Sequence, residues 1–172
     1  MSKPRMAVAG LMISFAAFIG LATHESFTTN AVIPTKNDRP TLGYGSTFWE
    51  DGRPVKMGET VTPVRALQVA HAHLTMEEHA FRKSLPGVTL SQTEYDIYMD
   101  WIYQYGNGAW AGSSMKSELL KGNYVTACSS MLKYKYSGGY DCSTLVNGKP
   151  NQRCWGVWTR QQARVKKCME AT

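Results

Sequence analysis

No cysteine precedes Cys128 in this chain, and none lies near Glu25 in sequence, which argues against direct control of that residue by thiol exchange. The cysteines that do occur, Cys128, Cys142, Cys154 and Cys168, contain no Cys-x-x-Cys pair. Even in number and widely spaced, they argue for two disulfides in an oxidising compartment and against a zinc site. Long runs of Lys or Arg are also missing, although 19 basic residues against 13 acidic ones leave a formal charge of +6. Scattered positive charge without a nucleic-acid motif argues against nucleic acid and for some other anionic surface. His71 and His73 stand two apart, on different faces of a helix, and neither they nor His79 has a His or Glu partner at ligand spacing. Solvated histidines are therefore expected, with no metal and no cofactor.

Charge is absent from Met6 to Ala22, a run preceded by Lys3 and Arg5. Its length is near the minimum for crossing a bilayer, roughly 17 residues. Small residues such as Ala9, Gly10, Ala16 and Gly20 dilute Leu11, Ile13, Phe18 and Leu21, so insertion is expected to be only modestly favourable. The basic flank predicts a cytoplasmic N-terminus with everything after Thr23 outside. An uncleaved anchor is favoured over a cleaved signal peptide, because Gly20-Leu21-Ala22 is a poor small-x-small cleavage site.

Beyond Ala22 the chain is long enough for one domain of ordinary size. The stretch Thr23 to Thr47 places Glu25 at the end of the apolar helix, and Asp38-Arg39-Pro40 then turns into a predicted strand, Thr41 to Trp49. Gly43 and Gly45 on that strand suggest close approach by another backbone or a ligand. Thr62-Pro63 opens a helix as N-cap and first helical residue. Ser91 and Glu94 form a capping box before an almost all-round apolar helix, which Gly106-Asn107-Gly108 is expected to end. Shorter helices are predicted over Met115–Leu120 and Tyr124–Tyr134, loops around Ser137-Gly138-Gly139 and Thr144 to Arg153, and a last helix from about Val157 to Cys168. If residues 155–168 are helical, a rise of about 1.5 Å per residue puts Cys154 and Cys168 roughly 20 Å apart, against the ~7 Å a bridge allows. Of the two pairings left, Cys128–Cys168 with Cys142–Cys154 is preferred.

Together these residues resemble the phage-type lysozymes of glycoside hydrolase family 24, and within them the endolysins that carry a signal-anchor-release segment. Glu25 followed by Thr41-Leu42-Gly43-Tyr44-Gly45 resembles the family's Glu...Asp...Thr-Ile-Gly-Tyr-Gly stretch. Leu90–Gly106, Ser114–Tyr134 and Cys154–Glu170 are similar to its buried helix, its Ser-Thr-Leu-Leu segment and its closing helix. The resemblance implies an α+β, mainly helical lysozyme-like fold with a small β-hairpin lobe and an N-terminal hydrophobic anchor helix. Residues 1–22 would form a releasable transmembrane segment and residues 23–172 the catalytic domain.

By position, Glu25 would be the catalytic acid and Thr41 would help hold the water. The family's aspartate falls at Thr35, while Asp38 stands three residues before Thr41. Either Asp38 enters the cleft, or Thr35 and Thr41 position water without it. The implied activity is hydrolysis of the β-1,4 bond between N-acetylmuramic acid and N-acetylglucosamine in peptidoglycan, by a monomer that lyses the host cell. An apolar helix end would raise the Glu25 pKa, while Asp38 among Lys36, Asn37 and Arg39 would stay ionised. The inner membrane would be a partner until the anchor leaves it, the catalytic domain lying in the periplasm. A lytic transglycosylase and a non-catalytic, membrane-tethered wall-binding protein are the rival possibilities.

Overall fold

A computed structural model describes residues 4–24, 26–34 and 38–172, apart from the side chain of His24. The N-terminal run does not form one helix. It divides into strand β1 (Met6–Ala7), a 3-10 turn (Val8–Gly10), an extended link, and helix α1 (Phe15–His24). Ser14 starts α1 as a cap, its Oγ accepting from the Ala17 N–H at 3.1 Å. Upstream, Val8 and Leu11 are 1% and 2% exposed, whereas Met12 and Phe15 are 68% and 78% exposed. The apolar residues thus bury one by one against the protein rather than forming a continuous lipid-facing surface. Among the described residues no helix is long and apolar enough to cross a membrane. The expected anchor helix is therefore corrected. The single-pass topology, the inner membrane as partner, and the membrane location with a periplasmic domain depended on that helix and are corrected with it.

The chain folds as two compact units, Met1–Met12 with Phe81–Thr172, and Ile13–Ala80. In the second unit, α1 leads to β2 (Thr28–Val32), which pairs antiparallel with β3 (Thr41–Gly43). Thr28 lies opposite Gly43 and Val32 opposite Thr41, with an irregularity between them that takes up extra residues of β2. A third edge comes from the loop beyond, where the Ala31 N–H donates to Glu59 O and the Val61 N–H to Thr29 O. Strand β3 is shorter than predicted because the chain turns straight after Gly43, with Leu42 and Ser46 exchanging both backbone hydrogen bonds at 3.0 Å. Gly43 sits at φ 63°, and a Cβ added there would lie 2.7 Å from the Ala66 Cβ. The helix carrying Ala66, α2 (Pro63–Ser84), is capped as expected, the Arg65 N–H donating to Thr62 Oγ1. Ala31, Leu42, Val55, Val61 and Ala66 form the lobe's buried core.

In the first unit β1 pairs with β4 (Thr89–Leu90) and leads into α3 (Gln92–Ala111). The Ser91–Glu94 capping box is present. Glu94 also takes two hydrogen bonds from Arg5, whose guanidinium lies 3.7 Å from the Tyr124 ring centre. Helix α3 breaks at Gly106 but resumes to Ala111, longer than predicted. Its buried face, with Tyr95, Tyr98, Trp101 and Trp110, packs with Phe81 into one aromatic core. Helices α4 (Ser114–Leu120) and α5 (Tyr124–Ser130) follow, and a 3-10 turn (Met131–Lys133) replaces the end of the predicted Tyr124–Tyr134 helix.

The stretch read as loops forms two small hairpins, β5 (Tyr136–Ser137) with β6 (Tyr140–Asp141), and β7 (Leu145–Val146) with β8 (Lys149–Pro150). Asn147 and Gly148, both at positive φ, make the second turn. The closing helix α6 (Trp155–Ala171) docks on α3 through Arg164 and Arg160, which both donate to Asp100. Burial pushes the Asp100 carboxyl up, but the adjoining Arg164 charge and the arginine hydrogen bonds outweigh it and leave Asp100 below its ordinary range. The disulfides are Cys128–Cys168 and Cys142–Cys154, with Cα atoms 5.6 and 5.1 Å apart. That is the one preferred of the two pairings that the helix-length argument left.

Candidate active site

The residues expected to form the site fall on two parts of the β lobe. Helix α1 ends at His24, the arm through Asp38 and Arg39 enters β3, and Thr41 is the first residue of that strand. Glu25 and Thr35, the expected acid and the alternative water-positioning residue, lie outside the described residues, as do Lys36 and Asn37. Asp38 is exposed, and its Oδ1 accepts from the Arg39 N–H at 3.0 Å. This local bond pins the carboxylate to the arm just before the strand. Arg39 in turn holds its guanidinium 5.6 Å from the Phe48 ring centre. Thr41 is half-buried opposite Val32, and its Oγ1 donates to Val32 O at 3.4 Å. Of the expected set, Asp38 and Thr41 therefore sit on one short arm, three residues apart.

The start of α1 is fixed by a buried acid that the sequence did not single out. Glu78 on α2 is 6% exposed, and its Oε1 accepts from the Ile13 N–H at 2.6 Å. A carboxylate bonded to a backbone amide at the entry to a helix determines where that helix begins. Glu78 thus positions the segment that ends at His24, immediately before Glu25. The sequence contains no signal for this contact, because Glu78 looks like one more charge on a helix until the chain folds back onto it.

Glu59 is a second residue missed in the sequence. Its Oε2 accepts from the Trp49 indole N–H and the Lys56 backbone N–H, both at 2.9 Å, and its Oε1 pairs with Arg53. The Lys56 amide bond, then the Trp49 and Arg53 bonds, hold the carboxyl at about 2. Trp49 is further flanked by Arg53 and Arg65, whose guanidinium carbons lie 5.1 and 5.8 Å from the ring centre. The Glu50-Asp51-Gly52-Arg53-Pro54 turn signal was the visible trace of this arrangement. A small apolar cavity borders Leu42, Phe48, Trp49, Val55 and Val69 and includes neither Asp38 nor Thr41 in its lining. It belongs to the lobe's core.

His71 meets Phe18 edge-on at 5.6 Å, and His73 Nε2 lies 3.4 Å from Trp49 O. These two rings are structural neighbours in the lobe rather than purely solvated side chains. Among the described residues no group of three His, Cys, Asp or Glu side chains could hold a metal ion.

A family model described as phage lysozyme matches residues 22–152. The endolysin of Salmonella phage P22 is 34% identical over 99 residues, which covers 58% of this chain and 67% of that protein. The crystal structure of a P22 lysozyme mutant superposes with a TM-score of 0.71 at 26% identity, covering 92% of this chain and 99% of that one. An endolysin from Escherichia coli O157:H7 phage FAHEc1 has the same fold, with a TM-score of 0.74 at 22% identity over 95% of this chain and 96% of that one.

Proposed function

Because the chain belongs to the phage lysozyme family and is a peptidoglycan-hydrolysing endolysin of the muramidase type, we propose that Glu25, Asp38 and Thr41 carry its catalytic step. The observation that supports this is the position of all three inside the matched region 22–152, with Thr41 opening β3. The catalytic domain so proposed covers residues 23–172.

Cleaving a glycosidic bond needs a proton on the leaving oxygen and a nucleophile at the opposite face of the sugar. Glu25 donates its proton to the oxygen that bridges N-acetylmuramic acid and N-acetylglucosamine, and the C1–O bond breaks. A water attacks C1 as that bond opens, its oxygen oriented by the Thr41 hydroxyl. The water's proton passes to the Asp38 carboxylate, and C1 keeps the new hydroxyl. Charge is then balanced, with one proton delivered and one received. If the two carboxyls stand about 6.5–9.5 Å apart, the water fits between Asp38 and the sugar and the anomeric configuration inverts.

A murein-clearing assay on point variants tests the assignment. Glu25→Gln should lower the rate by about 100-fold or more, the contribution of a general acid. Asp38→Asn should cause a marked loss and Thr41→Ala a smaller one. Full activity in Glu25→Gln would remove Glu25 from the mechanism. Full activity in Asp38→Asn would leave water positioning to Thr35 and Thr41. Mass spectrometry of the products should show a hydrated reducing end, whereas an anhydro sugar would mean that the substrate's own hydroxyl attacks.

A further inference from the structure

The hairpins between β5 and β8 expose side chains that a lone domain has reason to bury or omit. Leu145 and Val146 are 61% and 53% exposed, and Tyr136 and Tyr140 also face solvent. Four large side chains with apolar surface are thus left uncovered within two successive hairpins. The stretch is also rigid. The Cys142–Cys154 bridge closes it, the Cys142 N–H donates to Lys135 O, and the Asn151 side chain donates to Asp141 O. Rigid aromatic side chains lose little freedom on binding, which favours a ligand that lies flat against them.

Charge selects the class of ligand. From Lys133 to Cys154 the basic residues are Lys133, Lys135, Lys149 and Arg153, and Asp141 is the one acid. Lys135 neutralises Asp141 at 2.8 Å. Among the described residues no carboxylate pairs with Lys149 or Arg153. Arg153 instead lies 4.5 Å from the Tyr140 ring centre. A cation available beside an exposed aromatic face suits a polymer that alternates flat sugar faces with anionic groups. Peptidoglycan is such a polymer, its sugar rings stacking on aromatics and its stem peptides carrying carboxylates.

We propose that the β5–β8 hairpins are a second peptidoglycan-binding surface, in which sugar rings stack on Tyr136 and Tyr140 and peptide carboxylates pair with Lys149 and Arg153. The surface lies in the helical unit, whereas Glu25, Asp38 and Thr41 belong to the β-lobe unit. The role proposed for it is to retain the enzyme on the wall. It rests on peptidoglycan being the substrate, but not on which residues cut it.

The test is co-sedimentation of full-length protein with purified, insoluble peptidoglycan, measured briefly in the cold with both the wild type and Glu25→Gln. Tyr136→Ala combined with Tyr140→Ala should weaken retention by about tenfold, which corresponds to ~1.4 kcal/mol. The same pair changed to Phe should keep most of it, because the aromatic faces remain. Lys149→Gln with Arg153→Gln should weaken retention and flatten its salt dependence. Hydrolysis of short soluble muropeptides should be unchanged in the hairpin variants made in the wild-type background, which also shows that they fold. Retention unaffected by both sets of changes would overturn the proposal. So would hairpin-dependent binding to anionic phospholipid vesicles with wall retention intact. If Glu25→Gln stays fully active, the catalytic assignment fails while the retention result still decides the hairpins.

Discussion

The Glu59 carboxylate collects an indole N–H, a backbone N–H and a guanidinium at one turn, and in doing so fixes Trp49 in the β lobe. Its folded pKa of about 2 lies below the ordinary 4.5, so the stabilisation it gives is fully present above 4.5 and is lost as pH falls through about 2. The Trp49 indole N–H resonance, followed by NMR, should hold its shift from neutral pH to below 4 and move only on approach to pH 2. In Glu59→Gln the same resonance should sit at a different shift and show no such low-pH transition. Movement of the wild-type signal near pH 4.5 would mean that the carboxylate is not held this way. Thr41 was singled out through the resemblance of Thr41-Leu42-Gly43-Tyr44-Gly45 to the family's stretch. Glu78 could not be, because its role comes from the Ile13 amide brought to it by a fold-back of the chain, and for Glu59 the sequence showed only the neighbouring turn.

Elements were legible where a start signal acts locally. Thr62-Pro63 and Ser91 with Glu94 satisfy the free amides of their own first turns, so their spacing alone predicts the helices. The stretch Met6 to Ala22 was misjudged because composition counts apolar residues without saying which neighbours bury them. Ser14, a cap inside that run, was the local sign that a shorter helix begins there. The hairpins were missed for a related reason, since short exposed strands have no alternating buried face to detect. Gly43 is the point where β3 and α2 meet. Gly43→Ala should destabilise the protein by about 1–2 kcal/mol for the left-handed backbone alone. The 2.7 Å approach to the Ala66 Cβ adds to that. Adding Ala66→Gly to Gly43→Ala should return the steric part and leave the backbone part, a split that denaturant unfolding of the single and double variants measures. Equal destabilisation in Gly43→Ala with and without Ala66→Gly would mean that the helix simply moves away.

At the scale of the whole molecule, the cysteines bind together parts of the chain that local signals leave independent. Helix length excluded one pairing before the fold was known, because a continuous helix cannot bring Cys154 and Cys168 within bonding distance, and the structure decides between the two that were left. Both bridges lie in the helical unit, yet they differ in what they constrain. Cys128–Cys168 spans 40 residues and joins α5 to the end of α6, with both cysteines fully buried beside the Tyr98 hydroxyl. Cys142–Cys154 spans 12 residues and closes the exposed hairpins. Loop-closure entropy in the unfolded chain assigns about 4 kcal/mol to the longer loop and about 3 to the shorter. Buried packing widens the difference, since Cys128→Ala with Cys168→Ala also leaves space in the core. In denaturant unfolding, loss of Cys128–Cys168 should therefore cost more than loss of Cys142–Cys154. The two losses should also differ in kind. Removing the longer bridge should lower stability and peptidoglycan hydrolysis together as the protein unfolds, and retention on the wall should follow the folded fraction. Removing the shorter one should leave soluble-substrate hydrolysis intact while loosening the hairpins, so wall retention should fall in a protein that remains folded. If both double variants lost stability equally and kept full retention, the bridges would be interchangeable staples, and the hairpins would need no clasp to do their work.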